Sequence, residues 1–104
     1  MSDPRARQHL ALELCVPPDH PALPGHFPGA PVVPGVLLLD LLLDAAERAL
    51  GRALEPRALE QVKFLAPLLP AQAARALVEL EGTRLRFRIE HAGQALASGL
   101  MELA

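Results

Sequence analysis

Residues 35–50 read GVLLLDLLLDAAERAL, a run of strong helix formers with neither Gly nor Pro between Gly35 and Gly51. Leucine and alanine dominate it, which predicts a helix over Gly35–Leu50 with Gly51 as its C-terminal stop. That helix is apolar nearly all round, the mark of an element in the middle of a fold rather than on its surface. Its polar exceptions share one stripe, since Asp40, Asp44 and then Glu47 or Arg48 recur at spacings of four and three or four.

The flanks change period. Before the helix, Leu10, Leu12, Leu14 and Val16 alternate with Ala11, Glu13 and Cys15, which predicts a half-buried strand. From Leu59 onward the period of two returns. Gln61 and Lys63 alternate with Val62 and Phe64, then Ala76, Val78 and Leu80 with Leu77, Glu79 and Glu81, then Leu85, Phe87 and Ile89 with Arg84, Arg86 and Arg88. A last strand-like run covers 95–103, and Glu81-Gly82-Thr83 and Ala92-Gly93-Gln94 carry the glycines of hairpin turns. The expected order is strand, long loop, buried helix and antiparallel meander, an α+β fold in which a sheet curls around one central helix.

The long loop is proline-rich. Pro17, Pro18, Pro21, Pro24, Pro28, Pro31 and Pro34 are seven of the eleven prolines, and each removes a ladder donor and restricts its predecessor. A stiff structureless stretch of this length between a strand and a helix points to function.

At 104 residues the chain is expected to form one domain over 1–104, with a core small enough that a partner chain would help it. Hydrophobic residues at 51% against 21% charged exclude intrinsic disorder as the main state. Three Phe with no Tyr or Trp leave no stacking platform for single-stranded nucleic acid, and a net charge of −2 leaves no basic field for a phosphate backbone. The single Cys15 provides neither an internal disulfide nor a thiolate cluster, which fits a reducing cytoplasm. The first twenty residues, MSDPRARQHLALELCVPPDH, carry no apolar signal core, and no apolar run reaches the length of a membrane span. A cytoplasmic protein with no nucleic-acid or membrane partner is expected.

No phosphate-binding glycine loop, HExxH or GxSxG is present, and neither Ser2 nor Ser98 has a nearby His or acid in sequence. Between Asp19 and Asp40 no residue carries a formal charge, and His26 sits midway in the loop within PGHFPG. An imidazole fixed in apolar surroundings stays neutral and can accept a proton, as a general base requires. Asp40 is the next ionisable group, and burial among leucines would make its charge costly unless it is paired or used. His26 could equally be a solvent-facing loop histidine, and Asp40 the start of a polar stripe continued by Asp44. His9, His20 and His91 read as solvated or structural, and Arg84, Arg86 and Arg88 as one solvated strand face.

The stretch HPALPGHFPGAPVVPGVLLLDLLLDAAE, residues 20–47, resembles the signature of the β-hydroxyacyl-acyl carrier protein dehydratases, the FabZ-like and FabA-like hotdog-fold enzymes, whose core runs GHFPGxPxxPGVLxxE. His26, Phe27, Pro28, Gly29, Pro31, Pro34, Gly35, Val36 and Leu37 stand as in that family, and QVKFLAPLLPAQ supplies Phe64, Pro67 and Pro70 of a second matching segment. The resemblance implies a hotdog fold, with the antiparallel sheet as bun and the helix as sausage. It implies dehydration of a (3R)-hydroxyacyl thioester on acyl carrier protein to a trans-2-enoyl thioester, as in fatty-acid, polyketide or aryl-polyene synthesis, with no metal or redox cofactor. His26 would abstract the α-proton, Asp40, fourteen residues on, would assist departure of the hydroxyl, and the Gly35 N–H would polarise the thioester carbonyl. Phe27, Pro34 and Val36 would join Gly35 against the substrate. The resemblance further implies a homodimer whose active site lies at the subunit interface, with dimers or hexamers both open.

Two departures from the fatty-acid enzymes stand out. Asp40 replaces Glu, as in the FabA-like isomerases and in the ApeI-like proteins of aryl polyene clusters. Asp44 stands where Gln is usual, one helical turn from Asp40, where a like charge would raise the pKa of either carboxyl. An acidic carrier needs a basic docking patch, for which Lys63, Arg84, Arg86 and Arg88 are the candidates. Two alternatives remain, a hotdog acyl thioesterase and a catalytically silent acyl-binding subunit.

Overall fold

A computed structural model describes residues 7–15, 35–69 and 72–104. The chain runs β1 (Gln8–Cys15), α1 (Gly35–Leu50), β2 (Pro56–Phe64), β3 (Ala73–Glu81), β4 (Arg84–His91) and β5 (Gln94–Leu103). The five strands form one antiparallel sheet in the order β1-β3-β4-β5-β2. This is the α+β hotdog architecture expected from the sequence.

The helix begins and ends where its composition predicts. Gly51 has φ 72, and the Glu47 carbonyl accepts from the N–H groups of both Gly51 and Arg52, at 2.9 and 3.3 Å, which closes the last turn. The Glu47 carboxylate accepts from the Leu54 N–H at 2.7 Å, and so ties the helix end to the segment leading into β2.

Strands β3, β4 and β5 form a true meander. Leu85, Phe87 and Ile89 are buried on β4, as are Ala74, Ala76, Val78 and Leu80 on β3, in the alternation read from the sequence. Ala92 and Gly93 both have positive φ, 50 and 81, the two-residue turn whose twist suits a β4–β5 hairpin. These inward side chains close one core with Leu12 and Leu14 of β1 and with Leu38, Leu39, Leu42 and Ala46 of α1.

Two expectations are corrected. β2 does not join the meander beside β3; it crosses to the far edge and pairs with β5. The reason is that β1 already holds the free edge of β3, from Gln8↔Leu80 to Cys15↔Ala73, which leaves β5 as the open edge. β2 is also exposed along almost its whole length, only Val62 being half-buried, and its ladder shifts register between Glu60 and Lys63, where Gln61 has φ 55. The second correction concerns α1. The helix is not buried all round: Val36, Asp40, Asp44 and Arg48 form an exposed stripe at i, i+4 spacing, because a single sheet covers one side of a helix only.

Candidate active site

The start of α1 supplies the polar backbone of the site. The first N–H groups of a helix have no partner within it and carry the positive end of its dipole, so Gly35 stands where a developing negative charge is favoured. Gly35 is half-buried beneath the ring of Phe64, the last residue of β2. Val36, next along, is 71% exposed.

Asp40 projects from the exposed stripe of the same helix one turn beyond Val36. The burial expected of it among leucines is overturned, because Leu38, Leu39 and Leu42 take the sheet-facing side and Asp40 the other. Asp44 does not add a free carboxylate beside it. Arg48 binds the Asp44 carboxylate at 2.7 Å, one further turn along.

Gly35, Val36 and Asp40 are thus gathered on one helix. His26, Phe27 and Pro34 lie outside the described residues, as does the whole proline-rich loop. Among the described residues no group of three His, Cys, Asp or Glu side chains is placed to hold a metal ion.

The basic candidates stand elsewhere. Lys63, Arg86 and Arg88 project from the opposite face of the sheet, around an open trough of about 730 Å³ that includes Leu77 and Leu100. Arg84 lies outside that trough, 3.9 Å from Glu102 on the neighbouring strand. Arg88 has Glu90 at 3.5 Å, whereas Arg86 and Lys63 have no ion pair with another described residue. Glu79 is the acid of the trough, and it is shared with Arg7 at 3.7 Å and His9 at 3.9 Å. The face is therefore cationic around an apolar centre.

Phe64 was legible only as part of a matching segment, not as a site residue. The signal was present in the glycine that opens the helix, a residue type otherwise unfavourable inside an α-helix.

Residues 2–100 match the profile of the ApeI-like family, described as ApeI dehydratase. The chain belongs to that family. Among solved structures, this ApeI-like chain is similar to the dehydratase heterocomplex ApeI:P from Xenorhabdus doucetiae, with 25% identity and a TM-score of 0.79 over 95% of this chain and 94% of that one. Among curated relatives it is 31% identical over 96 residues to a 3-hydroxyacyl-[acyl-carrier-protein] dehydratase FabZ of Caulobacter sp. (strain K31), an alignment covering 84% of this chain. The FabZ of Chlamydia trachomatis serovar D is 32% identical over 95 residues, which is 78% of this chain. The ApeI-like chain spans 58% and 62% of the length of these two relatives. The fluoroacetyl-CoA thioesterase FlK shares the fold, with a TM-score of 0.69 at 23% identity over 96% of this chain and 86% of that one.

Proposed function

We propose that this chain dehydrates (3R)-hydroxyacyl thioesters borne on acyl carrier protein to trans-2-enoyl thioesters, in fatty-acid, polyketide or aryl-polyene-type synthesis in the cytoplasm. The observation that carries this reading is α1 itself: a helix start at Gly35 and an outward carboxylate at Asp40, in a chain that matches the ApeI dehydratase family over residues 2–100.

The chemistry needs three groups. A base removes the proton α to the thioester, and His26, read from the sequence, takes that role. The electron pair moves onto the thioester carbonyl, where the Gly35 N–H and the helix dipole meet the growing charge on oxygen. The C–O bond at the β-carbon then breaks as Asp40 delivers a proton to the hydroxyl, which leaves as water. Each group serves a charge that changes during the step, so no further chemistry is required of the protein.

The exposed surface supports an obligate second copy. Val36 on α1, Leu59 and Phe64 on β2, and Leu65 and Leu69 just after it are exposed apolar side chains, and β2 is an edge strand with an open row of backbone groups. An edge of this kind is normally covered. A homodimer with the active site at its interface would shield Asp40 from water that competes for its proton. The cationic trough of Lys63, Arg86 and Arg88 is the docking patch assigned to the acidic carrier.

Intact mass spectrometry of a 3-hydroxyacyl carrier protein incubated with this chain tests the reading, alongside His26→Ala and Asp40→Asn. Loss of one water from the acyl group, abolished in both variants, is expected. Release of free carrier would replace the dehydratase with a thioesterase. An unchanged acyl group, with the enoyl form also failing to take up water, would leave an acyl-binding subunit.

A further inference from the structure

Position 35 has no room for a side chain. A Cβ placed on Gly35 would stand 2.5 Å from Cε1, 2.7 Å from Cζ and 2.9 Å from Cδ1 of Phe64, so the ring occupies the space that any other residue would need. Gly35 opens α1 and Phe64 closes β2, and this contact therefore sets how the helix start stands against the edge strand. Phe64 is nevertheless 54% exposed, while the core is closed by Phe87, Leu42 and Ile89 without it. Large apolar residues are normally kept inside, and here one side of a half-exposed ring lies on the backbone of a helix N-terminus while the rest of it stays open.

We propose that Phe64 is a positioning residue for the thioester: its ring holds the first turn of α1 in place and walls the spot where the substrate carbonyl meets the Gly35 N–H. The proposal rests on the reading of Gly35 as the carbonyl-polarising donor and extends it to a residue of β2. Two physical effects converge there. A donor to a developing oxyanion is effective only when it is fixed beforehand and shielded from water, and a flat apolar ring against the helix start does both. Reacting geometry is also steep, and a misplacement of about 1 Å costs on the order of a hundredfold in rate. Glycine at 35 and phenylalanine at 64 then form one device. A methyl group added at 35 displaces a ring that is not part of the buried core of the chain, so the loss falls on positioning rather than on folding.

The test uses the full chain and carrier-borne 3-hydroxyacyl substrate, with initial rates of water loss read by intact mass and Tm read in parallel. Phe64→Ala is expected to lower kcat by about 10- to 100-fold. KM should move by less than about threefold, the pattern of an interaction made in the transition state. Phe64→Tyr keeps the ring and retains most of the rate, and Phe64→Leu, which keeps apolar bulk for folding, falls between. Gly35→Ala loses rate like Phe64→Ala, and the double variant is no slower than Gly35→Ala alone, because the ring has already been displaced. A Phe64→Ala variant at the wild-type kcat, or a double variant that loses the product of both single losses, overturns the proposal while wild-type turnover leaves the dehydratase reading standing. A wild-type chain that neither removes water from the hydroxyacyl form nor adds it to the enoyl form overturns both.

Discussion

Arg48 holds the carboxylate of Asp44 at 2.7 Å, one turn of α1 beyond Asp40 on the same exposed stripe. The pairing sets Asp44 apart from Asp40, the carboxylate proposed as the acid. Asp44→Asn should therefore keep the dehydration rate within about twofold and cost about 0.3–0.5 kcal/mol of stability, the worth of an exposed i, i+4 pair. Asp40→Asn should lower kcat by about 10²–10⁴-fold, the contribution of a positioned general acid. Steady-state rates on a carrier-borne hydroxyacyl substrate, with urea unfolding of the same two variants, separate the outcomes. Equal loss of rate in both would show that the acid is not Asp40 alone.

The proposed docking patch makes a selective prediction. Lys63, Arg86 and Arg88 surround the trough on the outer face of the sheet, and Arg84 stands apart beside Glu102. Arg86→Glu with Arg88→Glu should raise KM for carrier-borne substrate by about tenfold, an effect of about 1.4 kcal/mol, and should steepen with falling salt. Turnover of the same acyl group on free pantetheine should be unchanged. A variant that loses both substrates equally would place the defect in the site, and one that loses neither would leave the face a solvated one.

The sheet depends on a glycine for a reason of packing. A Cβ on Gly99 would stand 2.9 Å from Cζ of Phe87 and 2.9 Å from Cγ2 of Val62. Phe87 is fully buried and cannot swing aside, and Val62 is the one side chain of β2 that reaches inward. Gly99→Ala should cost about 1–3 kcal/mol, as overpacking of a closed core does, and should loosen β2 from β5. Denaturant unfolding gives the cost, and hydrogen exchange along β2 shows where it falls. The contrast with Gly35→Ala is the diagnostic, since there the displaced ring lies outside the buried core cluster.

The parts of the fold that were legible in the sequence are those decided locally. Gly35–Leu50 was readable because helix formers run without interruption to a glycine that takes φ 72. β3 and β4 were readable because their alternation matches a sheet with one buried face. The place of β2 was not, because its side chains are exposed on both faces in the single chain and its partner is chosen by which edge β1 leaves open. Asp40 was singled out because the family resemblance places an acid fourteen residues after His26, but its exposure was not legible. Composition shows that a helix is apolar all round without showing that one sheet can cover only half of it. Phe64 belongs to a third kind, a residue whose proposed role rests on a contact between two elements that no local pattern reports.

Arg7 and Glu81 carry the last prediction. The Arg7 guanidinium donates to the Glu81 carboxylate at 2.7 Å and also stands 3.7 Å from Glu79, joining the residue before β1 to the end of β3. The hydrogen bond from Arg7, then its charge, holds the Glu81 carboxyl below its ordinary 4.5, and the hydrogen bond to Glu81 with the charges of Glu79 and Glu81 raises Arg7. A carboxyl whose value is depressed in the folded chain adds stability that is present above the unfolded value and is lost as pH falls through the lowered folded one. The Arg7 side of the pair stays charged throughout the working range and adds no pH dependence of its own. Wild type should therefore exceed Arg7→Met in stability at neutral pH by a small margin, since both groups are exposed, and the difference should vanish in acid below the Glu81 titration. Carboxyl NMR of Glu81 across acidic pH in the two proteins checks the cause directly: its titration should move upward in Arg7→Met, and an unmoved titration would mean that the ion pair is not formed in solution.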